Sequence, residues 1–472
     1  MEYLVIDIGT SSLRVLVMED AARIVNQSVK KRHAPEVFDA EQLWEMLCQM
    51  AESLKLRNRP IAAVVVSSLL GWVGVDREGR AVCPCYTYMH AANEVFALSK
   101  QEKEACYLET GRRPNPEHGV FQLLYVKRKD PQAYRNIAAF VSLKDYVAGK
   151  LTGRFAVDRT SAAYTLVYKL ETEEWNIPLI ERLEADPDKF PTLLAPADIL
   201  GEVGPAAARA FGLAEGIPVA VGSVDGSTGI FGAGGEEEGT LVSVMGTTNT
   251  HFLVSGKPLW DESASLVLNP HVIPDRWLIG GPTGMYGGAV DWLCSTLLKE
   301  GIDLEELTAQ AEAIPRGSEK VSFFPTMAGE RTPFWQPAMR GTVIGLDTRH
   351  TAAHLLRAIL EADSYVCAHM SQLAEKAGGE IKRVVAIGGG ARNRLWLQIK
   401  AEVLGVPVWK TEVQEATARG SCLLAMKAMR QKVESCLEPV EIFQGEEQAE
   451  KEYALLKEQY LALHEKVLGL YA

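Results

Sequence analysis

No G-x-x-x-x-G-K-[ST] segment occurs anywhere in the 472 residues, which removes the P-loop route to binding a nucleoside triphosphate. Positive charge is also in short supply. A net charge of -12 has the wrong sign for the clustered Lys and Arg that grip a nucleic-acid backbone, so no nucleic-acid partner is expected. A small anionic substrate stays compatible, because local charge can oppose the global sign. Uninterrupted apolar runs fall well short of the ~18 residues a membrane helix needs, so no membrane partner is expected either. The opening Met1-Glu2-Tyr3-Leu4-Val5-Ile6-Asp7 enters a strand pattern directly, without a basic n-region or a small-residue cleavage site; no signal peptide is expected, and the expected location is the cytoplasm. The eight cysteines are scattered, and Cys83 and Cys85 form a lone CxC beside Pro84, so reduced thiols are the default. Asn26-Gln27-Ser28 fits a glycosylation sequon but means nothing without a secretory signal.

What remains is an ordinary globular balance, 47% hydrophobic and 23% charged, over a length that calls for two domains. Tyr3–Ile6 and Leu13–Val17 are β-rich runs joined by Gly9, Thr10, Ser11 and Ser12, which reads as a hairpin. A helix is expected near 41–54, a buried strand at 61–66, and helices near 121–129 and 143–151. The proline-rich stretch 178–205 reads as irregular. Near residue 218 the pattern restarts: the strand Val219–Gly222 leads to Asp225, and the glycine- and acid-rich run Gly232–Gly239 reads as a boundary. Beyond it, Leu241–Met245, the turn Gly246-Thr247-Thr248-Asn249-Thr250 and His251–Val254 repeat the opening design, which suggests a duplicated α/β unit. Helices are expected at 352–376 and 393–404, with the strand Arg383–Ile387 between them, and a charged surface helix at 446–468. The expected domains are 1–231 and 240–440, with a helical extension over 441–472.

A Gly-Thr-hydroxyl turn between strands offers an anion backbone N–H groups and side-chain hydroxyls, and its glycine lets the backbone come close. One such turn is an ordinary hairpin. Two of them, the first led by Asp7, could hold successive phosphates of one nucleotide. Asp7 at a strand end is a hard oxygen ligand suited to Mg²⁺, and Arg14 either reaches a phosphate or forms a surface ion pair. Gly388-Gly389-Gly390 follows a buried strand and precedes a helix opened by Asn393, allowing an adenine or ribose to lie flat on the backbone. Asn393 stands where a dinucleotide fingerprint would place its third glycine, so that fingerprint is absent. Asp225 sits between a strand and a helix start. There it reads equally well as a helix N-cap and as the carboxylate that orients a nucleophilic hydroxyl and takes its proton, with the helix N-terminus favouring an ionised base of ordinary pKa. His350 and His354 lack a third ligand and are not read as a metal pair; Trp292, Trp335 and Trp396 are read as packing.

Taken together these motifs resemble the FGGY carbohydrate kinase family over nearly the whole chain. Asp7-Ile8-Gly9-Thr10-Ser11-Ser12-Leu13-Arg14 is similar to the family's D-x-G-T-[ST]-S-x-[RK] hairpin, and Leu143-Lys144-Asp145-Tyr146 with Leu151-Thr152-Gly153 to its k-D-Y…L-T-G element. Gly329-Glu330-Arg331 with Pro333 resembles its G-E-R-x-P loop. Gly341–Leu346 with His354–Glu361 resembles its C-terminal signature, and Gly388–Asn393 with Gln398, Glu402, Leu404 and Gly405 its adenosine segment. The resemblance implies two actin-like, ribonuclease-H-like α/β domains facing a central cleft, which close to exclude water. It implies ATP and Mg²⁺, with Asp225 as catalytic base and Asp7 at the magnesium. Thr10, Ser11, Ser12, Arg14 and Thr247 would lie at the phosphates, and Gly287, Asp291, Gly389 and Asn393 around the nucleotide.

Departures fall on the sugar side. Relatives carry Q-M-H-G or Q-R-E-T where this chain has Ser68-Leu69-Leu70-Gly71, and W-x-D-x-R where it has Tyr88-Met89-His90-Ala91-Ala92. Gln122 and Tyr125 stand in place of Lys and Trp. Leu69, Leu70, His90, Asp225 and Gly226 are therefore the expected acceptor contacts, in a more apolar pocket. Loss of a polar partner changes discrimination by orders of magnitude. The expected reaction is ATP-dependent phosphorylation of a sugar, sugar acid or polyol hydroxyl, xylulokinase-like, with gluconate, erythritol or autoinducer-2 as alternative acceptors. Asn269-Pro270-His271-Val272-Ile273-Pro274 resembles kinases of the last of these. An actin-like ATPase switch without an acceptor, and a sugar-binding regulator without catalysis, are the competing classes. A homodimer is one assembly the sequence permits.

Overall fold

The computed structural model describes residues 1–21, 23–297, 303–413 and 415–471. They form two compact units: Met1–Glu236 with Asn269–Arg276 and Glu415–Cys436, and Glu237–Leu268 with Trp277–Gln414 and Leu437–Ala472.

The first unit is built on a six-stranded sheet in the order Ile199–Glu202, Pro218–Val224, Ile61–Ser68, Glu2–Ile8, Ser12–Glu19, Arg23–Lys31. The last three form an antiparallel meander; Glu2–Ile8, Ile61–Ser68 and Pro218–Val224 run parallel. Strands covered on both faces must be apolar at successive positions, as Val64-Val65-Val66 is. One face is covered by Ala416–Ala428, a helix from far along the chain. Its Ala418, Cys422 and Ala425 pack on Tyr3, Val5, Leu16, Met18, Ala63, Val65 and Ala220.

The second unit repeats this connectivity. Thr240–Met245 pairs antiparallel with Asn249–Ser255, which pairs antiparallel with Trp277–Pro282; on its other side Thr240–Met245 is parallel to Arg383–Ile387, itself parallel to Val408–Lys410. In both units the fifth strand takes an antiparallel edge partner, Ile199–Glu202 in the first and Glu441–Phe443 in the second. The duplication expected from the two turns is thus a duplication of topology.

Helices Ala40–Glu52, Gly119–Lys129, Leu143–Thr152, Ala352–Lys376 and Arg394–Leu404 lie where periodicity puts them. The stretch read as irregular contains the helix Ile177–Arg182, a 3-10 turn at Pro187–Lys189 and the edge strand Ile199–Glu202. Pro178 and Pro187 sit in the first turns of those two helical segments, where the missing N–H costs nothing. The C-terminal helix Glu447–Leu468 is more than a surface helix, since Tyr453, Tyr460 and His464 are buried on one face. Among the described residues no helix is long and apolar enough to cross a membrane.

Candidate active site

Parallel strands end together, and their carboxyl ends are where α/β sheets present chemistry. In the first unit Asp7, Ser67 and Ser223 are in register across three strands. The chain leaves those strands through the Gly9–Ser12 turn, through Leu69–Leu70 and through Asp225. The main-chain N–H of Leu69 donates to the Ile8 carbonyl at 2.8 Å, tying the expected acceptor side to the end of the Asp7 strand.

Asp7 is 4% exposed, and its Oδ2 receives Arg14 Nη1 at 3.3 Å across the hairpin. The same nitrogen also binds Glu415, the residue preceding the covering helix and absent from the expected set. Oδ1 of Asp7 has no hydrogen-bond partner. Burial raises its pKa to about 6; Arg14 opposes the rise and Glu415 adds to it. The first turn is closed by the Gly9 N–H on the Ser12 carbonyl at 2.9 Å, with Thr10 half-buried, Ser11 exposed and Ser12 buried.

Asp225 is the first residue of the helix Asp225–Gly232; Val224 occupies the N-cap. The N-cap reading therefore does not hold, and the half-buried carboxylate instead accepts from the exposed Gly226 N–H at 2.7 Å. Ordinary acidity is also overturned: burial first, then the neighbouring Asp7 charge, push Asp225 up to about 7 against the lowering effect of the Gly226 N–H. The helix is held at close range. A Cβ on Gly232 would lie 1.8 Å from the Ala416 carbonyl, and one on Gly420 2.0 Å from that of Thr228. Thr417 Oγ1 donates to the Asp225 carbonyl at 3.4 Å. The strand before it bulges at Gly222 (φ +70°), where a Cβ would lie 2.0 Å from the Val66 carbonyl. Below the bulge, buried Lys144 is shared by Asp145 and by Asp158 (2.9 Å), and Ser223 Oγ donates to Asp158 at 2.8 Å. The k-D-Y element thus anchors the strand that delivers Asp225. Nothing local in the sequence signals this network.

Of the residues expected at the acceptor, Leu69 is fully buried and Leu70 half-buried. His90 lies 4.9 Å from the Tyr86 ring and 4.8 Å from that of Tyr125, and burial lowers its pKa. Gln122 spends its amide N–H groups on the carbonyls of Thr87, Glu117 and His90.

The second unit gathers the other expected residues around its own turn. Thr247 is exposed at the tip. Gly287 lies against that turn, where a Cβ would be 2.1 Å from the Gly246 carbonyl; Asp291 is exposed further along the same helix. Gly388 (φ +92°) and Gly390 crowd Met245, at the end of the strand entering the turn, whereas Gly389 faces open space. Asn393 is a helix N-cap that accepts from the Trp396 N–H at 3.1 Å while its amide reaches Thr308. His354 likewise has a structural task, accepting the Thr351 N–H at 3.1 Å. Among the described residues no cluster of three or more His, Cys, Asp or Glu is arranged to hold a metal ion.

Sequence models of the FGGY family of carbohydrate kinases match residues 2–232, as its N-terminal domain, and 241–429, as its C-terminal domain. The chain belongs to this family. Xylulose kinase of Bacillus subtilis (strain 168) is 27% identical over 440 residues, spanning 90% of this chain and 88% of that protein. Gluconokinase of the same organism is 25% identical over 446 residues, spanning 90% and 86%. The crystal structure of gluconate kinase from Lactobacillus acidophilus superposes with a TM-score of 0.92 at 20% identity, covering 100% of this chain and 99% of that one. The repeated strand order described above is accordingly the actin-like, ribonuclease-H-like α/β architecture. This FGGY kinase is a phosphotransferase that takes ATP as donor and a carbohydrate as acceptor.

Proposed function

We propose that Asp225 is the general base of the phosphoryl transfer. The acceptor oxygen bonds to the γ-phosphorus of ATP as the bond from that phosphorus to the β–γ bridging oxygen breaks. ADP leaves with the electron pair, and the acceptor proton passes to the Asp225 carboxylate. What carries the reading is the Asp225 carboxylate at the head of a closely packed helix, its pKa pushed up to about 7 by burial and by the neighbouring Asp7 charge. Such a pKa matches a base to neutral pH.

Thr10, Ser11, Ser12 and Arg14 are assigned to phosphate oxygens, and Thr247 to the same task from the second unit. Gly287, Asp291, Gly389 and Asn393 are assigned to the nucleoside portion. The open space at Gly389 supports this, since it leaves the backbone there approachable, and the capping task of Asn393 leaves its side chain fixed beside it. The unpartnered, buried Oδ1 of Asp7 suits a Mg²⁺ that keeps most of its waters and its phosphate ligands. Such an ion would neutralise developing charge on the phosphates. Leu69, Leu70, His90 and Gly226 are assigned to the acceptor. The reading places the enzyme in the cytoplasm, where ATP is supplied; its eight cysteines are free.

The test is coupled ADP release over a panel of sugars, sugar acids and polyols, with Asp225→Asn in parallel. Turnover falling by about 10³-fold or more supports the assignment. Retention of near-wild-type turnover removes it.

A further inference from the structure

Among the described residues, several buried cations sit directly on a carboxylate. Lys144 sits on Asp145 and Asp158, Lys400 on Asp363, and Arg357 on Glu361. Arg112, 5% exposed, has none among its hydrogen-bond or ion-pair partners. Its Nη2 donates to the Asn269 amide oxygen, its Cζ lies 3.6 Å from the Tyr164 ring centroid, and its Nε has no partner. A guanidinium keeps its proton even when buried, so the positive charge stands uncompensated, and arginine is almost never buried in that condition. The neighbouring histidine offers no relief. Burial, and then the Arg112 charge, drive His118 down to about 3, so it is neutral.

The placement of Arg112 ties it to the acceptor side. Its loop is tied to the His90 segment by its carbonyls: Pro116 accepts from the Ala92 N–H at 3.0 Å, and the Gln122 amide donates to both the His90 and Glu117 carbonyls. At the end of the same loop Gly119 packs against Trp72, where a Cβ would lie 2.8 Å from the indole, just after Leu69 and Leu70. In the other direction Asn269 leads to His271, whose carbonyl accepts from Thr160 Oγ1 at 3.3 Å. Thr160 follows Asp158, and Asp158 holds Ser223, two residues before Asp225.

We propose that Arg112 is the counter-charge for an anionic acceptor, so that the substrate is a sugar acid whose carboxylate sits on Arg112 while a hydroxyl faces Asp225. The inference rests on the kinase reading above. One guanidinium beside a neutral histidine matches one negative charge, which favours a carboxylate over a phosphate dianion, and its fork geometry suits a carboxylate's two oxygens. The apolar residues at 69 and 70 fit a pocket that draws its affinity from a buried ion pair and has less need of polar side chains there.

The experiment pairs each five- and six-carbon aldonate with its carbon-matched alditol, D-gluconate against D-glucitol for instance, in the coupled ADP assay. Each pair is also followed by thermal unfolding. The expected result is an aldonate KM about 100-fold or more below that of its partner. Arg112→Gln then raises the aldonate KM about 100-fold while kcat moves less than tenfold, and Arg112→Lys recovers part of the loss. A purely structural arginine would not yield charge rescue confined to acidic acceptors. Preference for neutral acceptors, or no aldonate effect on turnover or unfolding, overturns the proposal. If Arg112→Gln fails to fold, the matched pairs on the wild-type enzyme decide. Neutral-sugar turnover that Asp225→Asn abolishes would sink the sugar-acid inference and leave the kinase reading standing. ATP hydrolysis with no acceptor of either class phosphorylated would sink both.

Discussion

Asp7 and Arg14 are cross-strand partners in the first hairpin and meet as an ion pair at 3.3 Å, yet the pairing leaves Asp7 half satisfied. Arg14 divides its charge between Asp7 and Glu415, Asp7 keeps an open oxygen, and burial, opposed by Arg14 and aided by Glu415, holds its pKa near 6. On the proposed assignment, Asp7 would take a cation and Arg14 would turn to a phosphate. Arg14→Ala is therefore expected to lower kcat/KM about 10²-fold or more, from loss of charge stabilisation at the transferring group. Steady-state kinetics at saturating acceptor checks it; an effect below threefold would mean that Arg14 serves the hairpin only.

The acidity of Asp225 gives a pH profile. An acceptor's proton can pass only to the ionised carboxylate, so kcat/KM should rise through about pH 7 and level above it, with that limb missing in any residual activity of Asp225→Asn. Stability moves oppositely. The folded carboxyl titrates near 7 and the unfolded near 3.8, so the native state holds its proton more tightly and stability falls as pH climbs between these values. Asp225→Asn should consequently be more stable than the wild type at pH 8, by about 1–3 kcal/mol, and no different at pH 3.5. Denaturant melts at the two pH values would show it.

The crossing of helices Asp225–Gly232 and Ala416–Ala428 leaves no room for a side chain. Gly420→Ala would put a carbon 2.0 Å from the Thr228 carbonyl, and the obstacle is backbone that cannot rotate away. A loss of about 1–3 kcal/mol is expected, together with a fall in kcat as Asp225 is displaced. Unchanged stability with unchanged kcat would show that the two helices can part freely.

In the second unit Asp363 is buried and receives Asn249 (2.8 Å), His251 (3.3 Å), Trp396 (3.0 Å) and Lys400 (2.8 Å). Burial opposes its ionisation, but Lys400 and His251 hold it well below the usual carboxylate range. Lys400→Met should cost about 3–5 kcal/mol by uncovering that charge, and adding Asp363→Asn should recover part of it. Chemical denaturation of both variants would decide; a single-mutant cost under 1 kcal/mol contradicts the pairing.

Gly388 and Gly389 separate fold from function. Gly388→Ala meets the Met245 carbonyl at 2.7 Å in a left-handed conformation and should destabilise the protein. Gly389→Ala meets nothing within 4 Å, so it should fold normally and raise the KM for ATP about tenfold if that backbone approaches the nucleoside. An unaltered KM would remove Gly389 from the nucleotide contacts.

Much of the fold was legible because its signals are local. Strand runs of β-branched residues closed by Gly9 or Gly246 and hydroxyls specify hairpins within about fifteen residues, and capped amphipathic periodicity placed the helix Ala352–Lys376 to the residue. The stretch 178–205 was not legible, because two-residue strands such as Leu193–Leu194 owe their shape to their neighbours. Glu415 and Arg112 escaped notice for a related reason. The one acts through a hairpin some four hundred positions earlier in the chain, and the other matters only because burial denied it a carboxylate.

The linear chain determined that two strand–turn–strand units exist, that each turn can present glycine and hydroxyls, and that Asp7 and Asp225 stand at strand ends, since each follows from contacts between near neighbours. Only folding decided which far segments complete the first unit, and it brought Ala416–Ala428 against the helix of Asp225. It also set the proton affinities. Acidity depends on which charges and how little water surround a carboxyl, and those neighbours become neighbours only once distant strands share a sheet.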